Sequence, residues 1–419
     1  MALVAALFTL SACTGGNDLG RPPYIRSVFQ PDPTLRDRFD VFYLSDRVDP
    51  ADPDFWDDPQ KSPPDNDGNF ANLREQWADA PACGMQTVSV PAATAPQAAK
   101  AIAPYMRFCK PEQHPSDADA ATLLAGRIAE RCSSLLLYVH GFNTVFHTAL
   151  FTAAQMARDT RAQCAALFSF ASEGKTDLYT ADVEHSAYAV PLLAEFLRAL
   201  SAKDIHLTVL AHSMGNRITL ASISAIHRSG GPSRDAFISE LVLAAADVSD
   251  TNYNDDFHKL VSDAIRADGS KGHFRMARRV TVYASAGDVA LAGSEIVHNG
   301  TRAGREPLLN AQDKWEGAVD VIDATFVPVP TDFAGHGYFS KTPEAVADIT
   351  YALAGVPIDE RLKLLNHGRP LLIRTDKQPN PCRSYQPLSR YAVYADPRHY
   401  PSWVSRLVRC VVPALPKVD

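Results

Sequence analysis

The chain has 419 residues, 46% hydrophobic and 21% charged, which suffices for one large domain with a full core plus shorter appendages. Its formal net charge of -7 comes without long runs of one sign, so nothing electrostatic points to a nucleic-acid partner. No C-x-x-C pair and no His/Cys cluster has zinc-ligand spacing, and neither a metal nor another cofactor is expected.

In chain order, the first thirteen residues, MALVAALFTLSAC, are uncharged and apolar. They are too short to span a bilayer and have the length of the apolar part of a signal peptide. Leu10-Ser11-Ala12-Cys13 resembles the lipobox of bacterial lipoproteins. That resemblance implies a signal segment over residues 1–13, acylation of Cys13, and a lipid-anchored place in a bacterial cell envelope, on the periplasmic face of the outer membrane. Several acyl chains on one cysteine anchor durably, whereas one is marginal. Residues 14–37, rich in Pro, Asp and Arg, read as a tether.

Order begins at Phe39-Asp40-Val41-Phe42-Tyr43-Leu44, an alternating, β-rich first strand. Asp49 to Ala80, loaded with Pro, Asp and Asn, reads as a long surface loop, and Gln86 to Pro91 as a second strand ended by its proline. From about residue 118, strands alternate with helices, the pattern of a mostly parallel sheet covered on both faces. The strands expected are Leu135 to Val139, Ala166 to Phe170, Leu207 to Leu210, Leu241 to Ala245, Val280 to Ala284 and Val321 to Phe326. The helices are Val145 to Arg161, Ser186 to Ser201 with an early Pro191, Met214 to Ser229, and Thr342 to Leu353. This gives an α/β domain over residues 38–357. Ser249 to Arg278 reads as a small cap or lid, and residues 358–419 as a C-terminal extension with a strand-like Pro370 to Arg374.

One stretch carries chemistry. Ala211-His212-Ser213-Met214-Gly215-Asn216 follows an apolar strand and precedes a helical pattern, so a serine stands at a sharp turn between small residues. It resembles the G-x-S-x-G nucleophile elbow of the α/β-hydrolases, with Ala211 in place of the first glycine. A serine hydroxyl needs a histidine to accept its proton, and the histidine needs a carboxylate to fix its tautomer. In the order of that fold, the chain offers Ser213, then Asp288 or Asp247, then His336. The acid usually follows the later of the two strands, which favours Asp288 and leaves Asp247 as the alternative. His336 lies between the last strand and its helix, flanked by glycines. His212, beside the serine, cannot swing round to serve it and is assigned to support or packing. The oxyanion donors expected are the backbone N–H of Met214 and that of Phe142, in a His140-Gly141-Phe142-Asn143 stretch that resembles the His-Gly signature after the third strand.

Taken together, Phe42 to Arg47, Val88 to Pro91, His140 to Asn143, Tyr179 with Asp182, Ala211 to Asn216, Asp288 to Leu291 and His336 resemble the bacterial α/β-hydrolases of the DUF900 family, over about residues 38–355. The resemblance implies an α/β-hydrolase fold with Ser213, Asp288 and His336 as its triad; a tryptophan is usual in that family where this chain has Phe170. Six further cysteines allow about 15 pairings. In the hydrolase fold the strands after Cys132 and Cys164 are sheet neighbours, which suggests that bridge, with Cys83–Cys109 and Cys382–Cys410 paired by proximity. The expected activity is hydrolysis of a carboxylic ester, on a small-molecule or lipid acyl substrate beside the membrane reached through Cys13. A thioesterase, amidase or acyltransferase would use the same triad, and a catalytically silent envelope lipoprotein is the alternative from another class.

Overall fold

Buried parallel strands read as unbroken apolar runs because both faces are covered, and such runs build the centre of this molecule. The computed structural model describes residues 38–47, 81–90, 100–101, 103, 105–109, 115–160, 162–250, 257–265, 275–305, 318–325, 327, 334–366, 369–370, 372–374 and 389–393. Cys13, Cys382, Cys410, the signal segment, the tether and the loop over 49–80 lie outside them.

The strands are β1 (Arg38–Ser45), β2 (Ala82–Ser89), β3 (Lys100–Ala101), β4 (Met106–Arg107), β5 (Ser134–Val139), β6 (Cys164–Ser169), β7 (His206–His212), β8 (Ile238–Ala244), β9 (Val280–Ala284), β10 (Val319–Asp323), β11 (Leu365–Asn366), β12 (Arg369–Pro370), β13 (Leu372–Arg374) and β14 (Tyr391–Val393). Among the described residues a 12-stranded sheet runs in the order β13-β14-β10-β9-β8-β7-β5-β6-β1-β2-β3, with β4 also on β2. From β14 to β1 every pairing is parallel, and antiparallel strands occur only at the two ends. The sheet is that of an α/β-hydrolase fold, mostly parallel with helices on both faces.

The helices are α1 (Asp117–Ala129), α2 (Phe146–Asp159), α3 (Tyr179–Ser201), α4 (Met214–Arg228), α5 (Phe257–Ile265), α6 (Val289–His298), α7 (Tyr338–Lys341), α8 (Pro343–Leu353) and α9 (Ile358–Arg361). Alternation along each strand divides the core in two. Leu135, Leu137 and Val139 of β5 pack with α1, α3, α4 and α5, whereas Leu136 and Tyr138 pack with α2 and α8. The chain leaves β5 for β6 on one side and then crosses to β7 on the other, so the loops after β5 and β7 diverge from adjacent strands. This is the switch point at which open α/β sheets bind ligands, outside the carboxyl ends of their strands.

Several elements differ from the sequence reading. α3 begins at Tyr179 rather than Ser186, which puts Pro191 in its middle; its first turns bury Tyr179, Asp182, His185 and Ser186, a polar inner face that apolar periodicity does not register. α1 and α6 were not assigned, and β10 ends at Asp323, earlier than expected. The described part of 249–278 contains α5, whose Val261 and Ala264 are fully buried beside α4, so α5 is a layer of the core rather than a lid. The extension beyond 357 also joins the fold, because β14 pairs with β10 and Arg361 is buried with Asp320 and Asp348 at 3.0 Å each.

Disulfides join Cys83 to Cys109 and Cys132 to Cys164, as expected. The second ties the starts of β5 and β6, which pair Leu135 with Cys164. Loops of 26 and 32 residues correspond to about 3 to 4 kcal/mol each in the chain-entropy account. No helix among the described residues is long and apolar enough to cross a membrane.

Candidate active site

β7 passes directly into α4 through Ser213, whose φ of 53° and ψ of -121° lie where an L-residue is strained. Such a conformation costs about 1–3 kcal/mol and persists only when its surroundings fix it. Here the Ser213 N–H donates to Ala244 O at 3.0 Å, and the Ser213 carbonyl accepts from the Asn216 amide side chain at 3.0 Å and from the Asp247 N–H at 3.2 Å. Gly215 is needed because a Cβ there would stand 2.4 Å from His140 O and 2.5 Å from Val139 O. Met214 opens α4, and the first N–H groups of a helix have no partner within it, which leaves this one free to face an oxyanion.

Asp288 caps α6. Its Oδ1 accepts from the Leu291 N–H at 2.9 Å and its Oδ2 from His336 Nδ1 at 2.7 Å, so one carboxylate fixes a helix end and an imidazole at once. The His336 loop is held to the Asp288 loop by a bond from Val289 N–H to Ala334 O at 2.8 Å. An imidazole that donates through Nδ1 presents Nε2 as an acceptor, the form a serine's base requires. His212 lies against it, with ring centroids 4.7 Å apart and its Nε2 donating to His336 O at 3.3 Å, and it stacks on Phe339 at 4.2 Å. Burial, then the neighbouring His336, holds His212 well below the ordinary histidine range, consistent with a neutral supporting residue. The fold thus brings His336 onto Asp288 and places it beside the residue preceding Ser213.

The loop after β5 closes the other side. A Cβ at Gly141 would lie 2.7 Å from Ser213 Cβ, so glycine lets this loop press on Ser213. Asn143 takes a left-handed φ of 53°, and its N–H donates to Asp182 Oδ2 at 3.3 Å. Asp182 also accepts from the Ser172 hydroxyl and from Glu173 N–H. Burial raises its carboxyl above the usual range against these donors and Arg47. Arg47, 2% exposed, donates to Ser169 Oγ, Ser172 O and Thr144 O at 2.7–2.9 Å. Burial lowers its guanidinium to about 10, against the pull of Asp46 and Asp182. Beside it His140 bonds to Ser169 Oγ at 3.1 Å and stacks on Phe170 at 4.5 Å; burial, then Arg47, pushes it down to about 3. This buried network fixes the backbone around Phe142. Arg47 and Asp182 carry part of the family resemblance, but their shared network is not readable in the sequence, since the segments they join are distant in it.

Asp247 is not with His336. Its Oδ2 accepts from the Tyr179 hydroxyl and its Oδ1 from the Ser294 hydroxyl, both at 2.6 Å, and Arg302 Nε is 3.4 Å from Oδ1. Burial pushes this carboxyl up, but Arg217 and Arg302, with the two hydroxyls, outweigh it and hold it below the usual range. The alternative acid is therefore part of a separate cluster, and the acid in contact with the histidine is Asp288. Among the described residues no group of three or more His, Cys, Asp or Glu side chains could hold a metal ion.

A family model described as "Alpha/beta hydrolase of unknown function (DUF900)" matches residues 116–354, more than half of the chain. The chain belongs to the DUF900 family of α/β-hydrolases. A search of curated sequences finds no match. Among solved structures, the DUF900 chain is similar to a hyperthermophilic esterase from the archaeon Pyrobaculum calidifontis, at 14% identity and TM-score 0.32 over 54% of this chain and 77% of that one. Esterase PE8 aligns at 12% identity and TM-score 0.29 over 55% and 95%. The ester-hydrolase EH1AB1 from the metagenome of Lake Arreo aligns at 11% identity and TM-score 0.32 over 55% and 75%.

Proposed function

We propose that this DUF900 protein is a serine hydrolase that cleaves a carboxylic ester through an acyl-enzyme on Ser213. The observation that carries the reading is the 2.7 Å contact of His336 Nδ1 with the buried Asp288, set beside a strained serine elbow. In this mechanism Ser213 Oγ attacks the ester carbonyl while His336 Nε2 takes its proton, and Asp288 stabilises the imidazolium. The N–H groups of Met214 and Phe142 receive the oxyanion. Collapse of the tetrahedral intermediate breaks the carbonyl–alkoxide bond, and His336 returns its proton to the departing alcohol. Water, deprotonated by the same histidine, then attacks the acyl-enzyme and releases the acid and Ser213.

A fluorophosphonate probe tests this. Folded wild-type protein should be labelled and Ser213→Ala should not; unlabelled wild type would refute the hydrolase. The lipobox-like Leu10-Ser11-Ala12-Cys13 supports a further proposal, that the protein is lipid-anchored through Cys13 in a bacterial envelope and meets its acyl substrate there. Cys13→Ser should release it from membranes, and continued tight association would rule the anchor out.

A further inference from the structure

The Asp247 cluster borders the reacting centre. Asp247 N–H donates to Ser213 O, Arg217 lies on α4 one turn beyond Ser213, and the Tyr179 ring stands edge-on to Phe142 at 5.1 Å. From there it extends to the exposed His298, whose Nε2 is 3.1 Å from the Tyr179 hydroxyl.

Among the described residues the charges around Asp247 do not cancel. One carboxylate faces two guanidinium groups, and both its oxygens already accept hydroxyl donors. Glu295, whose Oε1 accepts from the Arg302 backbone N–H, is paired with Arg305. His298 leaves the balance unchanged, since partial burial, then Arg302, pushes it down to about 4 and keeps it neutral near pH 7. Arg302 is 1% exposed; its Nε meets Asp247 Oδ1 only as an ion pair at 3.4 Å, and its Nη2 has no hydrogen-bond acceptor among the described residues. Arg217, half-buried, acts on the same carboxylate as a charge. A purely structural ion pair would match its charges and saturate its donors, because a buried guanidinium N–H without an acceptor is costly. Among the described residues two guanidinium groups meet one carboxylate here, and Arg302 Nη2 is an unused donor, next to the turn that holds Ser213. Guanidinium forks fit carboxylate and phosphate oxygens in pairs.

We propose that Arg302 and Arg217 receive an oxyanion of the substrate, so that the ester cleaved at Ser213 belongs to a molecule bearing a carboxylate or phosphate close to its acyl bond. This rests on the serine-hydrolase reading and narrows it from acyl esters in general to anionic ones.

The test compares kcat/KM within two matched pairs: p-nitrophenyl butyrate against mono-p-nitrophenyl glutarate, and monobutyrylglycerol against butyryl glycerol phosphate. Wild type should favour the charged member at least tenfold in one pair, and that pair tells carboxylate from phosphate. Arg217→Gln, at a half-buried helix position, should lower the charged-to-neutral ratio about tenfold. Arg302→Lys, which keeps the charge but loses the fork, should lower it less. A wild-type ratio near one in both pairs, or a preference untouched in both variants, overturns the proposal. If Ser213 is labelled by the fluorophosphonate while the ratio stays near one, the anion site alone fails. If wild type is not labelled, the hydrolase reading fails, and thermal stabilisation by glutarate or inorganic phosphate still decides the anion site: it must be present in wild type and lost in Arg217→Gln.

Discussion

Replacing Asp288 with asparagine changes one atom of a group that is fully buried, so shape is kept and the chemistry is isolated. The asparagine oxygen should keep the cap bond from Leu291 N–H, since only an oxygen can accept it. Its amide NH2 then faces His336 Nδ1 across 2.7 Å. Two donors cannot face each other, so Nδ1 becomes the acceptor and the proton moves to Nε2, the atom that must take the serine proton. The wrong tautomer costs on the order of 10⁴ in kcat in a serine triad. At 1.36 kcal/mol per decade, that is about 5.4 kcal/mol of transition-state stabilisation. Asp247→Asn is the control: it touches Tyr179 and Ser294 but not His336, so it should cost stability, a few kcal/mol for a disrupted buried pair, and less than about 100-fold in kcat on a neutral ester. The assay is kcat and KM on p-nitrophenyl butyrate, corrected for active fraction, with urea unfolding of each variant. An Asp288→Asn protein within tenfold of wild type, or a larger kcat loss in Asp247→Asn, would refute the assignment.

Gly141→Ala places a methyl 2.7 Å from Ser213 Cβ, closer than real contacts of this kind, so the oxyanion loop must retreat. A displacement near 1 Å costs on the order of 10² in rate; unchanged kcat with a folded protein would show that the loop does not act at the serine. The buried His140 and His147 are both pushed down to about 3, chiefly by burial. The unfolded chain therefore takes up these protons first as pH falls from about 6.5, and stability is lost through the window from 6.5 down to 3. At pH 5 each accounts for about 2 kcal/mol of that loss. His147→Gln, which can still bond to the Tyr105 hydroxyl, should lose about 2 kcal/mol less than wild type between pH 7.5 and 5.0 in urea unfolding. Equal losses would contradict a neutral buried imidazole.

The central strands were legible because burial on both faces forces apolar runs such as Leu135 to Val139, and the elbow because its turn excludes bulky neighbours. The order of Ser213, Asp288 and His336 was readable from their places after successive strands. Other features left weaker traces. α1 carries a signal that could have been used, a capping box from Ser116 to Asp119 followed by Ala120, Leu124 and Ile128 on one face. The start of α3 left none in apolar periodicity, because its inner face is made of Asp182, His185 and Ser186. Arg217 and Arg302 carry no motif in the sequence.

The family match ends at residue 354, but the domain that holds the site does not. β14 covers the outer edge of β10, the strand that leads into the His336 loop, and Arg361 is locked onto Asp320 at the start of that strand. A protein shortened at 354 would expose a row of unpaired backbone groups on β10, the kind of edge that recruits other chains, and would strip a buried carboxylate of its partner. β14 and Arg361 are thus a seal: the strand that feeds the His336 loop rests on residues more than a hundred positions downstream of Ser213.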